Sequence, residues 1–242
     1  MMRKVLAGWL LLAIACHAAD KKQPAYATVQ EFRLTPKQNG TDGKIELLMD
    51  ARLTPAVREQ MWGKGEWSQV LSPETALFKE FKASPPRKAK LRIKNEAGRV
   101  VAERSLDRPL AELKECAAGG CGGAEYFLTV DFTAGFGSYS GLGTTLLQIS
   151  KGTLQDAKAI HVSTHRQEPI RLAKTLKSDW RIATGNQGTE ILALSSHPGS
   201  DGAFVTEYVR YRFDGGQWLK YERHEVGMWE SDQPFPPRSA FP

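Results

Sequence analysis

Apolar and polar residues alternate along most of this chain with the two-residue period of β-strands, and strong turns interrupt the pattern at short intervals. Residues 27–34 and 44–53 read as the first two strands, separated by Gln38-Asn39-Gly40-Thr41-Asp42-Gly43. Two helix starts follow. Thr54-Pro55 opens a short helix through about Trp62. Ser72-Pro73-Glu74 opens a second, to about Lys82, with a capping hydroxyl, a proline at the first helical position and an acid in the first turn. That helix is expected to bury Leu77, Phe78 and Phe81, and Pro85-Pro86 closes the region.

Residues 90–94 and 100–105 read as a hairpin around Asn95-Glu96-Ala97-Gly98, and residues 109–115 as a short helix. Tyr126, Leu128, Val130 and Phe132 alternate on one face, the pattern of a half-buried strand. Residues 144–150 and the stretch from Thr153 flank a Lys151-Gly152 turn, and residues 160–164 and 189–194 are further strands. The clearest hairpin joins residues 204–213 to 218–224 through Asp214-Gly215-Gly216. Residues 231–242 form an extended, proline-rich tail.

Three segments, KLRIKNEAGRVVAERSL, TLLQISKGTLQDA and VRYRFDGGQWLKYER, share a strand, glycine turn, strand plan. Their spacing is too irregular for a repeat. The expected fold is mainly β with a minor helical part (α+β), an antiparallel meander of sandwich- or barrel-like form. Residues 27–115 make an α+β part and 124–230 an all-β part. The glycine-rich loop 116–123 divides the two, or is an excursion from one continuous domain.

Composition changes this picture in one respect. The 242 residues are 41% apolar and 25% charged, close to the average of soluble globular chains. The longest apolar run is residues 5–16, short of the roughly 20 residues that span a bilayer. Arg3 and Lys4 precede it, and Ala15, Ala18 and Ala19 follow. Basic start, short apolar stretch and small-residue exit are the layout of a secretory signal over residues 1–19, with 20–26 as a tether. The protein is therefore expected to be exported, to the periplasm or to a lipid anchor on the envelope membrane. Its formal charge is +6, and +4 without Arg3 and Lys4. In an exported chain such an excess points away from nucleic acid and toward an anionic envelope surface or a protein partner.

Three cysteines then need placing: Cys16, Cys116 and Cys121. Cys116 and Cys121 flank Ala-Ala-Gly-Gly, a spacer flexible enough to bring them together as a local disulfide, which the chain-entropy model values at about 2 kcal/mol. Cys16 is left over. The stretch Leu12-Ala13-Ile14-Ala15-Cys16 resembles the lipobox of bacterial lipoprotein signals, with Ala13 where leucine is commonest. The resemblance implies cleavage before Cys16 and lipidation of its sulfur. Ordinary cleavage after Ala18 or Ala19 is the competing reading, and the cysteine count agrees with both.

The remaining chemistry is sparse. In Gly135-Phe-Gly-Ser-Tyr-Ser-Gly-Leu-Gly143, Tyr139 holds the centre where a nucleophile elbow needs serine, and a strand pattern follows where a phosphate loop needs a helix. The loop reads as an inter-strand connection whose Phe136 and Tyr139 are candidate contact residues. His161 and His165 on an extended strand would lie about 13 Å apart, too far to share a metal. No catalytic, metal or cofactor site is expected. Lys88, Lys90, Arg92 and Lys94 share one strand face, a candidate contact with an anionic envelope surface, or else a solvated face, or lysines guarding an edge strand. On the later hairpin, Tyr208 lies with Arg210 and Arg212 opposite Val209, Tyr211 and Phe213, and is the aromatic candidate for contact. These readings converge on an exported envelope protein with a non-catalytic binding or structural β-domain. A hydrolase of cell-wall or extracellular substrate with its site near residues 131–143, and an inhibitor or accessory subunit of an exported enzyme, are the other readings.

Overall fold

The computed structural model describes residues 24–34, 43–58, 76–116, 126–131, 138–150, 152–185 and 188–242. Its first strands are β1 (Tyr26–Leu34), β2 (Gly43–Asp50), β3 (Lys90–Asn95) and β4 (Val100–Ser105), a four-stranded antiparallel meander in chain order. Helix α1 (Ala76–Ala83) lies between β2 and β3 in sequence. Next come β5 (Ala111–Glu115), β6 (Tyr126–Asp131), β7 (Leu142–Ser150), β8 (Thr153–Asp156), β9 (Lys158–His161), β10 (Gln167–Pro169) and β11 (Arg171–Lys174). The last four are β12 (Ser178–Gly185), β13 (Gly188–Pro198), β14 (Phe204–Asp214) and β15 (Gln217–Val226). The second sheet has the order β11-β7-β6-β5, with β8 also paired to β7, and the third β10-β9-β15-β14-β13-β12. The fold is mainly β and sandwich-like, as the alternation implies.

The second sheet is the middle layer. Tyr126 and Leu128 of β6 and Leu147 and Ile149 of β7 face the first sheet, where they join Ile45, Leu47, Leu91 and Ile93. Phe127 and Leu146, one residue out of phase, face the third sheet and meet Ile191, Val209, Tyr211 and Trp218. A strand buried on both faces carries consecutive apolar residues instead of alternating ones. The half-buried reading of β6 is corrected accordingly, because Phe127 on its supposedly open face is only 4% exposed. Aromatic contacts tie the layers, Phe32 to Tyr126 at 5.5 Å and Phe127 to Trp180 at 5.4 Å.

Two buried residues stitch the second and third sheets. β8 pairs with β7, the chain passes Ala157, and β9 then pairs with β15. After β10 it passes Ile170 and returns to β7 as β11. Ala157 and Ile170 are both fully buried, and the Ile170 N–H donates to the Ala157 carbonyl (2.9 Å) while the Ala157 N–H donates to that of Leu146 (2.8 Å). This excursion makes β9–β15 a parallel pair, the exception to the expected antiparallel meander.

Local chemistry accounts for the turns. Thr54 Oγ1 accepts from the Val57 N–H (3.3 Å) as a helix cap, and residues 55–58 are helical, as read. Helix α1 ends as expected and buries Phe81; the side chains of residues 76–78 and all of residues 59–75 lie outside the described residues. Gly215 and Gly216, both at positive φ, form the two-residue turn between β14 and β15.

Two further expectations fail. Residues 109–115 are not helical: Ala111 and Leu113 are buried and Glu112 and Lys114 exposed, the two-residue period of β5 on β6. The strand expected over 160–164 ends at His161. The chain then closes a tight turn in which the His165 N–H donates to the His161 carbonyl (2.8 Å), with His165 at φ 56°. The histidines are thus not 13 Å apart along a strand. The proline-rich tail, extended apart from the short turn Arg238–Ala240, docks on the sheet. Trp229 and Phe241 are buried against Leu192 and Leu194 on the outer face of the third sheet, with Phe235 packed beside them.

Candidate functional site

The basic run on β3 presents one face as expected, with Ala89, Leu91 and Ile93 buried behind it. β3 is nonetheless an interior strand, so its lysines guard no edge. Lys90 reaches Glu103 at 2.7 Å, and Arg92 clasps the same carboxylate at 3.0 and 2.8 Å. Lys94 binds the buried Glu46 at 2.9 Å, and Lys44 bridges Glu31 and Glu46. Burial raises the Glu46 pKa, but the two lysines outweigh it and hold the carboxylate below its ordinary value. The face is a lattice of alternating charge, in which Lys88 is exposed at the margin. Glu31, Glu46 and Glu103 escaped the sequence reading because they come from β1, β2 and β4, and only register sets them beside β3.

Tyr208 is also engaged. Its ring meets Phe241 of the tail edge-on at 5.6 Å, and the Arg223 guanidinium lies 4.8 Å from its centroid. Tyr139 is exposed. Phe136, Cys16 and Cys121 lie outside the described residues, and Cys116 is half-buried against the core between the second and third sheets.

On the inner face of the third sheet, His161, Lys220, Glu207 and Glu222 form an ion network. His161 Nδ1 accepts from the Thr164 N–H (3.2 Å), which leaves the ring proton on Nε2, 3.0 Å from Glu222 Oε1. Lys220 Nζ lies 2.8 Å from Glu222, 3.2 Å from Glu168 and 3.7 Å from Glu207. Burial pushes Glu222 up, but the Lys220 ammonium and the close His161 ring prevail and hold its carboxyl down at about 2. Burial likewise raises the nearby Tyr211 hydroxyl to about 12. Oxygens of Glu207 and Glu222 and a ring nitrogen of His224 lie within 4.8 Å of one another, close enough to hold a cation. The Lys220 ammonium already supplies positive charge there, so the arrangement is a structural lock between β9, β10, β14 and β15.

A different arrangement occupies the flank of the stitched sheets. A cleft of about 320 Å³ opens between β7–β8, the start of β9, β10 and the tip of the β14–β15 hairpin. Its walls carry four carboxamides, Gln148, Gln155, Gln167 and Gln217, with Asp156 and Lys158. Phe213 and Trp218, edge-to-face at 5.5 Å, supply its apolar part. Arg104 holds Asp156 through two contacts, at 2.6 and 3.2 Å. The Trp218 ring is buried, and its Nε1–H has no acceptor among the described residues. Buried polar groups are nearly always hydrogen-bonded, so such a donor asks for an explanation. The four glutamines form no motif in the sequence, being spread from 148 to 217, and none was singled out there.

Compared with known protein families, with curated proteins and with solved structures, the chain finds no match.

Proposed function

We propose that this protein is an exported, non-catalytic domain of the bacterial envelope that binds a segment of an envelope polymer in the cleft beside β8, β10 and the β14–β15 turn. The observation that carries the reading is the cleft itself. Four side-chain amides from four strands line a space of ligand size, with Phe213 and Trp218 beside them. Export rests on the signal pattern of residues 1–19, and the mature N-terminus is either lipidated Cys16 or a free end after Ala18 or Ala19. A Cys116–Cys121 disulfide belongs to the same reading, since an oxidising compartment favours it and Cys116 is an engaged residue at the end of β5. The charge lattice of the first sheet is largely self-paired, four cations sharing three carboxylates, so contact with an anionic surface would involve its margin, at Lys88, more than Lys90, Arg92 and Lys94.

Fractionation followed by co-sedimentation with isolated envelope tests this. The protein should leave the cytoplasm, and it should sediment with cell-wall material in a manner that Gln155→Ala weakens. Retention in the cytoplasm, or no sedimentation with any envelope fraction, would reject the proposal. Intact mass of the membrane-extracted protein separates the lipidated from the free N-terminus and reports the oxidation state of the cysteines.

A further inference from the structure

The chemistry of the cleft narrows its ligand, and this step rests on the binding function just proposed. We infer that the cleft receives a neutral, hydroxyl-rich oligosaccharide segment. Each carboxamide presents a two-donor nitrogen and an acceptor oxygen, the same mixed capacity that a sugar hydroxyl has. Anionic polymers select differently. Phosphate and carboxylate groups only accept, and sites for them are built from arginine forks and clustered cations. Here no arginine lines the cleft among the described residues, Lys158 is its one ammonium, and Asp156 is neutralised by Arg104.

The glutamines are available for this role. None of Gln148, Gln155, Gln167 and Gln217 is engaged by another described side chain, and Gln155, Gln167 and Gln217 are exposed. Trp218 belongs to the same lining, and its buried Nε1–H lacks an acceptor among the described residues, a donor left over for an oxygen brought by a ligand. Half-buried Phe213 gives the C–H face of a sugar ring an apolar surface beside these donors. An extended peptide is the weaker fit. A peptide recognised by strand addition uses the backbone of one open edge, at regular spacing. The polar groups here are side chains from β7, β8, β10 and β15.

Titration of the isotope-labelled full chain with N-acetylated chitotetraose and with maltotetraose tests the inference. The Trp218 indole N–H and the side-chain amides of Gln155 and Gln217 should shift with at least one of the two sugars. Which one responds distinguishes an amino-sugar polymer from a plain glucan. Gln155→Ala, at an exposed strand position, should weaken that binding about tenfold. Gln167→Ala provides the same reading should the first variant fold poorly. Shifts produced only by a tetrapeptide or only by inorganic phosphate would overturn the inference. So would silence toward both sugars while the protein still sediments with cell wall, a result that leaves the envelope-binding reading standing. Loss of envelope sedimentation by the wild-type protein would instead remove the reading beneath it.

Discussion

The side-chain amide of Gln30 forms hydrogen bonds with both backbone groups of Leu113, donating to its carbonyl at 2.9 Å and accepting from its N–H at 2.8 Å. Leu113 sits on β5, at the edge of the middle sheet, and Gln30 on β1, in the neighbouring sheet. The register of β1 on β2 slips between Thr28 and Gln30, a bulge that re-aims the strand at that point. One side chain thereby takes the place of a neighbouring strand along the edge.

Removing that amide should cost stability out of proportion to its size. Gln30→Ala leaves the two backbone groups of the buried Leu113 without partners, which costs about 1–3 kcal/mol. Gln30→Glu keeps an acceptor and loses the donor, and should fall between. Urea unfolding of the two variants against wild type reads the difference, and an unchanged midpoint for the alanine variant would refute the edge-capping role.

The docked tail makes a second prediction. Arg238 binds buried Glu190 through two contacts of 2.9 Å each, while Arg210 stands farther off at 3.5 Å. Arg238→Ala removes the nearer cation and should lower stability by about 1–3 kcal/mol, the range for a hydrogen-bonded charge. Amide exchange should accelerate over residues 228–242 before it does in β13 or β14. Uniform acceleration across the sheet would show that the tail is not a separable strap.

Acid should weaken the molecule in a defined window. Glu222 has its pKa lowered from 4.5 to about 2 by Lys220 and His161 acting against burial. A hydrogen bond from Arg52 leads the causes that hold Asp50 well below the carboxylate range, despite burial. A carboxylate whose folded pKa is depressed stabilises the fold above its unfolded pKa, and that contribution fades as pH falls through the folded one. Stability should therefore decline from about pH 4.5 toward pH 2, and Glu222→Gln should flatten that decline. Denaturant midpoints measured across this range check it; a variant with the wild-type slope would contradict the assignment.

Backbone proximity gives the fourth. A Cβ on Gly141 would stand 2.0 Å from the Lys174 carbonyl oxygen, at the place where β11 approaches the start of β7. Gly141→Ala must push the two strands apart, and overpacking of this kind typically costs about 1–3 kcal/mol. Calorimetric melting should show the loss. Gly98→Ala, where a Cβ meets nothing, isolates the backbone-strain component because its φ is 74°.

Hairpins and caps were legible in the chain because their causes are local. The Asp214-Gly215-Gly216 turn and the Asn95–Gly98 turn need only neighbouring residues, and so does the Thr54 cap. The alternating pattern identified β3 correctly, since one of its faces carries charge. The same reasoning misjudged β6, whose two faces are both covered, and it took residues 109–115 for a helix although Ala111 and Leu113 follow a two-residue period.

By itself the sequence determined the β-rich class, most turn positions, the export-signal pattern and the direction in which β3 points its lysines. Tertiary structure decided what those lysines meet, which sheet lies in the middle, and where the tail docks. It also brought Gln148, Gln155, Gln167 and Gln217 to one cleft, although up to 69 positions separate them. The physical reason is the same in each case. Strand pairing and sheet stacking join residues distant in the chain, and their register is set by burial summed over whole faces, which no local window contains.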